Sequence, residues 1–282
     1  MKKLFFFLFI FFSCNVGNKS RDKADDSIEK VAQSQIANTN INTKIQSYSY
    51  QLISYFNDDN NKLDSTIATG FFIRKNRRLF IVSNYHVFTG KFTILPKDSI
   101  KFDSIKITYV NHQLEVHHLT INVSRIVKNS RSFLYYEKPD IFCYDVTGKF
   151  PLDSIIRSVE VFDFDLPNHD NQANKVFSNG YGDSLNNDNT ITMTFMVDEN
   201  CCNSYQHLPK LTVPEGVFKH SYFLKNQSVS GMSGSPVFFI NDSNKTFFAG
   251  IISSHFPQIN STLIVKPSVV YKTIDSLLKI RR

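Results

Sequence analysis

Short apolar or alternating segments recur along the chain beyond Ile45. They are rich in Phe, Ile, Val, Tyr and Thr, and clusters of Asn, Asp, Gly and Pro separate them. Such closely spaced segments are typical of the strands of a β-sandwich or β-barrel. Examples of the predicted strands are Tyr48–Phe56, Ala68–Arg74, Leu79–Ser83, Ile105–Val110, Leu119–Val123, Val159–Phe164, Lys175–Gly180, Thr190–Val197, Pro236–Ile240 and Phe247–Ser253.

One segment after Ile45 has a convincing helical pattern. In Ser268–Ile280 the apolar residues, among them Val269, Ile274 and Leu277, recur near helical spacing. The strand-rich region falls into two groups that divide near Pro151–Arg157. We therefore expect two small barrels packed together, over about residues 46–152 and 153–267, and a helix over about residues 268–280.

The first 13 residues have the layout of a signal peptide. Lys2 and Lys3 are positive, and Leu4–Phe12 is an uninterrupted apolar run of nine residues. A membrane-spanning helix needs about 20 apolar residues, so this run is too short for a permanent span. The layout predicts that the protein is exported.

The sequence Phe12-Ser13-Cys14 resembles the lipobox of bacterial lipoproteins. The resemblance implies that residues 1–13 are removed and that Cys14 is acylated, which anchors the protein to a bacterial membrane on its periplasmic side or at the cell surface. Several acyl chains on one residue give stable anchoring. Residues 14–45 are polar with few aromatics, which predicts a flexible tether between Cys14 and a folded domain at 46–282.

Composition narrows the class of protein further. The 27 Phe and the absence of Trp have a simple explanation in an AT-rich coding bias. The net charge of +7, or +5 without the leader, is spread among acids and predicts no nucleic-acid partner. Cys143, Cys201 and Cys202 have no metal-ligand spacing, so no metal is expected, and a disulfide among them is left open.

The hexapeptide Gly231–Pro236, Gly-Met-Ser-Gly-Ser-Pro, is the most informative short motif. A serine nucleophile needs an exposed hydroxyl on a tight turn, with backbone N–H groups directed at the developing oxyanion. Ser233 lies between two glycines, which permit such a turn. The motif predicts Ser233 as nucleophile and the N–H groups of Gly231 and Ser233 as oxyanion donors. An ordinary loop between strands is the alternative interpretation.

A serine nucleophile also needs a base that a carboxylate orients. His86 follows a predicted strand where the chain turns away from the sheet, a setting that the other seven histidines lack. Asp140 stands at the start of the apolar segment Ile141–Tyr144, where an acid is costly unless a partner stabilises its charge. Asp145 and Asp153 have the character of ordinary turn acids. His86 and Asp140 are therefore the predicted base and its orienting carboxylate.

The order His, Asp, Ser, with spacings of 54 and 93 residues, resembles the chymotrypsin/trypsin-like serine peptidases. The resemblance covers about residues 48–280 and implies two packed antiparallel six-stranded β-barrels with the site in the cleft between them. Four motifs carry it: Ala68–Ile73 is similar to the G-T-G-F strand, Ser83–Val87 to T-N-x-H-V, Asp140-Ile141 to the D-I/L-A strand, and Gly231–Pro236 to G-x-S-G-[GS]-P.

The resemblance also implies where a substrate binds. The expected substrate-binding residues are Gln227, Ser228, Ser230, Ser253, Ser254 and His255. None of them is a carboxylate, so a strong preference for Lys or Arg at the cleavage point is not expected. Ser253 is in addition a candidate hydrogen-bond donor to Asp140.

Three residues depart from the family pattern. Ala68 replaces a glycine, Phe142 replaces a small residue beside Asp140, and Met232 replaces the Asn or Asp that often precedes the nucleophile. The first two are packing changes, whereas Met232 bears on the geometry of the oxyanion turn.

The resemblance implies a serine endopeptidase that hydrolyses proteins or peptides through an acyl-enzyme on Ser233, without a cofactor. An inactive peptide-binding protein, with the turn collapsed around Met232, is the alternative. An esterase with a Gly-x-Ser-x-Gly elbow is disfavoured, because that elbow leads into a helix and Pro236 leads into a predicted strand.

Overall fold

A computed structural model describes residues 48–57, 63–89, 102–110, 115–123, 133–136, 139–149, 161–163, 175–182, 190–197, 220–240, 246–256 and 260–280. The predicted signal peptide at 1–13, Cys14, the tether at 14–45, Cys201 and Cys202 lie outside these residues. Within the described ranges, no helix has both the length and the apolar character needed to cross a membrane.

The first half of the described chain is a single sheet. Its strands run in the order β5-β4-β1-β2-β3-β7-β6, with antiparallel neighbours, and β8 pairs in parallel with β2. Six strands have five or more residues, whereas β6 has four and β8 three. The elements are β1 (Tyr50–Asn57), β2 (Leu63–Lys75), β3 (Arg78–Ser83), α1 (Tyr85–Thr89), β4 (Phe102–Val110), β5 (Val116–Asn122), β6 (Phe133–Tyr136), β7 (Ile141–Asp145) and β8 (Val161–Asp163).

The second half is a closed barrel followed by a helix. Six strands close in the order β10-β11-β14-β13-β12-β9. The predicted all-β, chymotrypsin-like fold, with a six-stranded barrel and a C-terminal helix, is confirmed. The elements are β9 (Lys175–Tyr181), β10 (Thr190–Val197), β11 (Ser221–Lys225), β12 (Pro236–Ile240), β13 (Thr246–Phe256), β14 (Ser261–Val265) and α2 (Pro267–Ile280).

The two sheets divide between β8 and β9, which is later in the chain than the predicted boundary near residue 152. The difference arises because β8 pairs with β2 and so belongs to the first sheet. Two strands of the barrel, β11 and β14, were not among the predicted segments.

Strands β2 and β3 have apolar residues on both faces. Phe72 and Ile81 pack into the core of the first sheet. Their neighbours Phe71, Phe80 and Val82 pack into a second cluster, which also contains residues of β12, β13 and α2. Because successive side chains of a strand point to opposite faces, these continuous apolar runs join the first sheet to the barrel.

The chain before β1 and the end of β2 add polar and aromatic contacts to this junction. The Tyr48 ring lies 5.3 Å from the ring of Phe238, and Ser49 Oγ donates a hydrogen bond of 2.5 Å to the carbonyl of Asn179. Lys75 on β2 forms an ion pair of 2.5 Å with Asp275 on α2. These contacts hold both halves and the helix in one arrangement.

Cys143, on β7, lies in the apolar cluster that joins the two halves. It forms no disulfide with any residue that the structure describes. Burial raises the pKa of its thiol. The side chain therefore acts as a small apolar group in the core.

Candidate active site

His86 lies in the short helix α1, directly after the buried strand β3. Ser83 and Asn84 at this junction are fully buried. Asn84 Nδ2 donates a hydrogen bond of 3.0 Å to the carbonyl oxygen of Asp140, which ties the end of β3 to the start of β7. The tie fixes the point where the chain leaves the sheet and keeps His86 beside Asp140.

Asp140 precedes β7 and has a φ of +54°, a conformation that Asp tolerates better than most residues. Its Oδ1 accepts a hydrogen bond of 3.0 Å from the backbone N–H of His86. Its Oδ2 lies 2.9 Å from His86 Nδ1 and accepts a bond of 2.6 Å from Ser253 Oγ. These bonds compensate for the burial of the carboxylate.

The contact between Asp140 and His86 also selects the tautomer of the imidazole. An ionised carboxylate accepts hydrogen bonds only, so His86 Nδ1 carries the proton that it donates to Asp140. The neutral ring then has its lone pair on Nε2. This is the form of histidine that takes a proton from a nucleophile.

Asp145, His117 and His118 lie away from Asp140 and His86. Asp145, at the far end of β7, pairs with Arg78 and accepts a hydrogen bond of 2.9 Å from Thr147 N. His117 and His118 are on β5, beside Glu115 and Thr108 respectively. His112, His169, His207 and Asp153 lie outside the described residues.

The turn that carries Ser233 is shaped by two glycines with positive φ, Gly231 at +89° and Gly234 at +86°. Its peptide groups are bonded to three parts of the fold. The bonds are Met232 N to Val229 O (3.2 Å), Gly234 N to Ile252 O (2.8 Å), Ser235 N to Met232 O (2.9 Å), Thr69 N to Ser233 O (2.9 Å) and Thr69 Oγ1 to Gly231 O (3.2 Å).

Two N–H groups of this turn remain available. Among the described residues, neither Gly231 N nor Ser233 N donates to a backbone carbonyl. The carbonyls of Gly231, Met232 and Ser233 all accept bonds from within the fold. The two donors predicted for an oxyanion are therefore the ones that the folded turn leaves unused.

Met232 anchors the turn to the barrel. Its side chain is fully buried in the core of the barrel, in the same cluster as Val176, Phe195 and Ile252. An apolar side chain there replaces the polar one that is common in the pattern this segment resembles.

Ser253 connects Ser233 with the Asp140–His86 pair. The Ser233 hydroxyl, which is partly exposed, donates a long hydrogen bond of 3.5 Å to Ser253 O. The hydroxyl of the same Ser253 donates to Asp140. The register of β13 against β14 shifts between Ile252 and Ser254, and such a bulge re-aims the side chain at the shift.

The predicted substrate-binding residues come from two neighbouring stretches of the barrel. Ser228 N donates a hydrogen bond of 2.7 Å to Thr262 Oγ1 on β14, and Thr262 pairs with His255 on β13. Ser228 and Ser253 are buried, Gln227 and Ser254 are half-buried, and Ser230 and His255 are exposed.

His255 is exposed, yet partial burial desolvates its imidazole and lowers its pKa below the usual 6.5. The ring is therefore neutral at pH 7, and it provides no fixed positive charge for an acidic substrate residue.

Two threonines form hydrogen bonds that hold the site in place, and neither was identified from the sequence. Thr262 Oγ1 accepts a hydrogen bond from Ser228 N and donates one of 2.9 Å to the carbonyl of Asn226, which fixes the loop before the turn that carries Ser233. Thr69 bonds the turn itself from the first sheet. Thr69 lies in the predicted G-T-G-F-like strand, but only the folded chain reveals its contact with Gly231, 162 residues away.

The fold is similar to that of known proteases. The protease Anisep from Arthrobacter nicotinovorans matches with a TM-score of 0.51 and 10% identity, over 82% of this chain and 95% of its own. Deg5 matches with a TM-score of 0.52 and 13% identity, over 87% of this chain and 95% of its own. Neither a family model nor a curated protein matches the sequence. At these identities the likeness shows the fold alone, and the chain has a chymotrypsin-like fold.

Proposed function

We propose that the protein is a serine endopeptidase in which Ser233 is the nucleophile, His86 the general base and acid, and Asp140 the group that orients His86. The observation that carries the proposal is the buried pair of Asp140 and His86, joined at 2.9 Å and linked through Ser253 to the Ser233 turn. In that turn the N–H groups of Gly231 and Ser233 donate to no backbone carbonyl of the described residues. The protease fold supports the same reaction class.

The proposed reaction begins when Ser233 Oγ attacks the carbonyl carbon of the substrate and its proton passes to His86 Nε2. The carbonyl oxygen takes the negative charge and is bound by Gly231 N–H and Ser233 N–H. His86 then gives the proton to the departing amine, and an acyl-enzyme remains. Water, deprotonated by His86, attacks the ester, and the proton returns to Ser233 as the acid product leaves.

Hydrolysis of a mixed peptide library by the purified protein tests this proposal. We expect new peptide termini with the wild type and none with Ser233→Ala. Ser235→Ala is the matched control, because it removes a fully buried hydroxyl from the same turn and leaves Ser233 in place. If Ser233→Ala produced the same fragments as the wild type, the proposal would be wrong.

The alternative function is peptide binding without cleavage. A turn collapsed around Met232 would support it, whereas Met232 is packed in the barrel core and the carbonyls of Gly231, Met232 and Ser233 accept hydrogen bonds. Peptide affinities that are equal for the wild type and Ser233→Ala, together with intact peptides after incubation, would favour this alternative.

We also propose that cleavage does not depend on a basic residue at the cleavage point. Gln227, Ser228 and Ser254 carry no charge, and His255 is neutral at pH 7 because its pKa is lowered. Sequencing the library products tests this, since an excess of Lys or Arg before the cut would contradict it.

Export and lipid anchoring through Cys14 form a separate proposal, which rests on the signal-peptide layout of residues 1–13 and the lipobox-like Phe12-Ser13-Cys14. Metabolic labelling of the full chain with an alkyne fatty acid tests it. We expect labelled protein in the membrane fraction, and no label after Cys14→Ser. Equal labelling of both forms would contradict the proposal.

A further inference from the structure

Thr69, on β2 of the first sheet, is bonded to both sides of Ser233. It is fully buried. Its N–H donates to Ser233 O at 2.9 Å, and its Oγ1 donates to Gly231 O at 3.2 Å. Its own carbonyl accepts a bond of 2.7 Å from Ser83 Oγ, which secures Thr69 to the end of β3. The first sheet thus holds the nucleophile turn of the barrel through one residue.

The Thr69 hydroxyl is fixed in direction. Tyr181 N donates a hydrogen bond of 2.9 Å to Thr69 Oγ1 and occupies one lone pair of the oxygen. A hydroxyl has a single proton to donate, and the acceptor within reach is Gly231 O. The bond to Gly231 is therefore part of a series of hydrogen bonds that runs from β9 through Thr69 into the turn.

The peptide group between Gly231 and Met232 depends on this bond. Its N–H donates to Val229 O at 3.2 Å, and its oxygen accepts from Thr69. Gly231 has a φ of +89° and no side chain, so little steric hindrance opposes rotation of the peptide. A rotated peptide would redirect the Gly231 carbonyl. The N–H groups of Gly231 and Ser233 belong to the two adjoining peptides, so their positions would change with it.

We propose that the Thr69 hydroxyl is a positioning residue for the oxyanion donors: it holds the Gly231–Met232 peptide so that the N–H groups of Gly231 and Ser233 stay available to the transition state. This inference rests on the proposed peptidase function. Thr69 touches neither substrate nor the reacting atoms, and it acts through Gly231.

Thr69→Val tests the inference, since valine keeps the shape and the backbone bonds but removes the hydroxyl. We expect kcat to fall at least about tenfold, less than the ~10²–10³ that follows loss of an oxyanion donor itself, with KM within about twofold of the wild type. The affinity for a peptide boronic acid, which forms a tetrahedral adduct on the nucleophile, falls with kcat. Thr69→Ser keeps the hydroxyl and restores both values.

Thr273→Val is the control, because Thr273 is also fully buried and its hydroxyl donates to a carbonyl, that of Val269 at 2.8 Å in α2, which the same substitution removes. We expect its kcat to equal that of the wild type.

Amide hydrogen exchange at Met232 provides a readout that needs no catalysis. We expect faster exchange in Thr69→Val and wild-type exchange in Thr69→Ser and Thr273→Val. Wild-type kcat and wild-type exchange in Thr69→Val would overturn the inference, as would a kcat that Thr69→Ser does not restore. If the wild type cleaves no peptide, the proposed function fails, and the exchange comparison still decides whether Thr69 holds the turn.

Discussion

Gly234→Ala should damage the turn that carries Ser233 more than its backbone conformation alone would suggest. A Cβ at residue 234 would overlap the carbonyl oxygen of Thr69 and the hydroxyl of Ser83. Both distances would be well below 3.0 Å, a separation under which real Cβ atoms essentially never approach another heavy atom. The φ of +86° adds strain for any residue with a side chain. The left-handed conformation costs about 1–2 kcal/mol and overpacking a further 1–3 kcal/mol, so we expect a total loss of about 2–5 kcal/mol in the free energy of unfolding.

Gly148→Ala separates the two contributions. Gly148 has a similar φ of +75°, but a Cβ there would meet nothing within 4 Å. We expect this variant to lose only the conformational part, about 1–2 kcal/mol. Guanidinium unfolding followed by circular dichroism gives both values, since the chain has no Trp for fluorescence.

The position of the turn supplies a second readout. If the Gly234→Ala overlap displaces Ser233, labelling by a fluorophosphonate slows in Gly234→Ala and stays at the wild-type rate in Gly148→Ala. Equal losses of stability in the two variants, with equal labelling rates, would refute the argument that the turn is packed directly against Thr69 and Ser83.

Three further predictions concern the surroundings of the site. Ser253→Ala removes the 2.6 Å bond to Asp140 and should lower kcat about tenfold, or 1.4 kcal/mol, in a peptide assay; a wild-type kcat would contradict it. The pKa of His255 is lowered below 6.5, so below pH 6.5 the unfolded chain binds more protons than the folded one, and stability falls as the pH falls. His255→Gln should therefore have a shallower loss of unfolding free energy below pH 6.5, and a decline identical to that of the wild type would contradict this. Cys143 should resist alkylation in the folded protein and react after guanidinium treatment, measured by peptide mass spectrometry, because burial raises the pKa of its thiol; equal reaction in both states would contradict its place in the core.

The strands that could be predicted are those with a clear apolar run between turn residues. β3 and β12 are examples, since each is a short run of apolar residues, and the fold buries Leu79–Val82 and Pro236–Phe239. β14 was missed although all five of its residues are buried, because it begins with Ser261 and Thr262 and its apolar part has only three residues. So short a run does not distinguish a strand from a turn of helix.

The site also has features that could be predicted from the sequence and features that could not. The glycines around Ser233 and the strand-end position of His86 are local features, so the sequence alone pointed to them. The contacts of Thr69 with Gly231 and of Ser228 with Thr262 join residues that are distant in sequence, 162 and 34 positions apart. They depend on how the first sheet meets the barrel and on the pairing of β11 with β14, which no single segment specifies.

The measurement that most directly tests the central claim is active-site labelling with a fluorophosphonate, followed by mass spectrometry of the modified peptide. Our account predicts one adduct, on Ser233, in the wild type, and a much slower reaction in His86→Ala because the base is lost. Ser235→Ala, the control on the same turn, should react like the wild type. Absence of an adduct on Ser233 in the folded protein, or equal labelling in His86→Ala, would contradict the account.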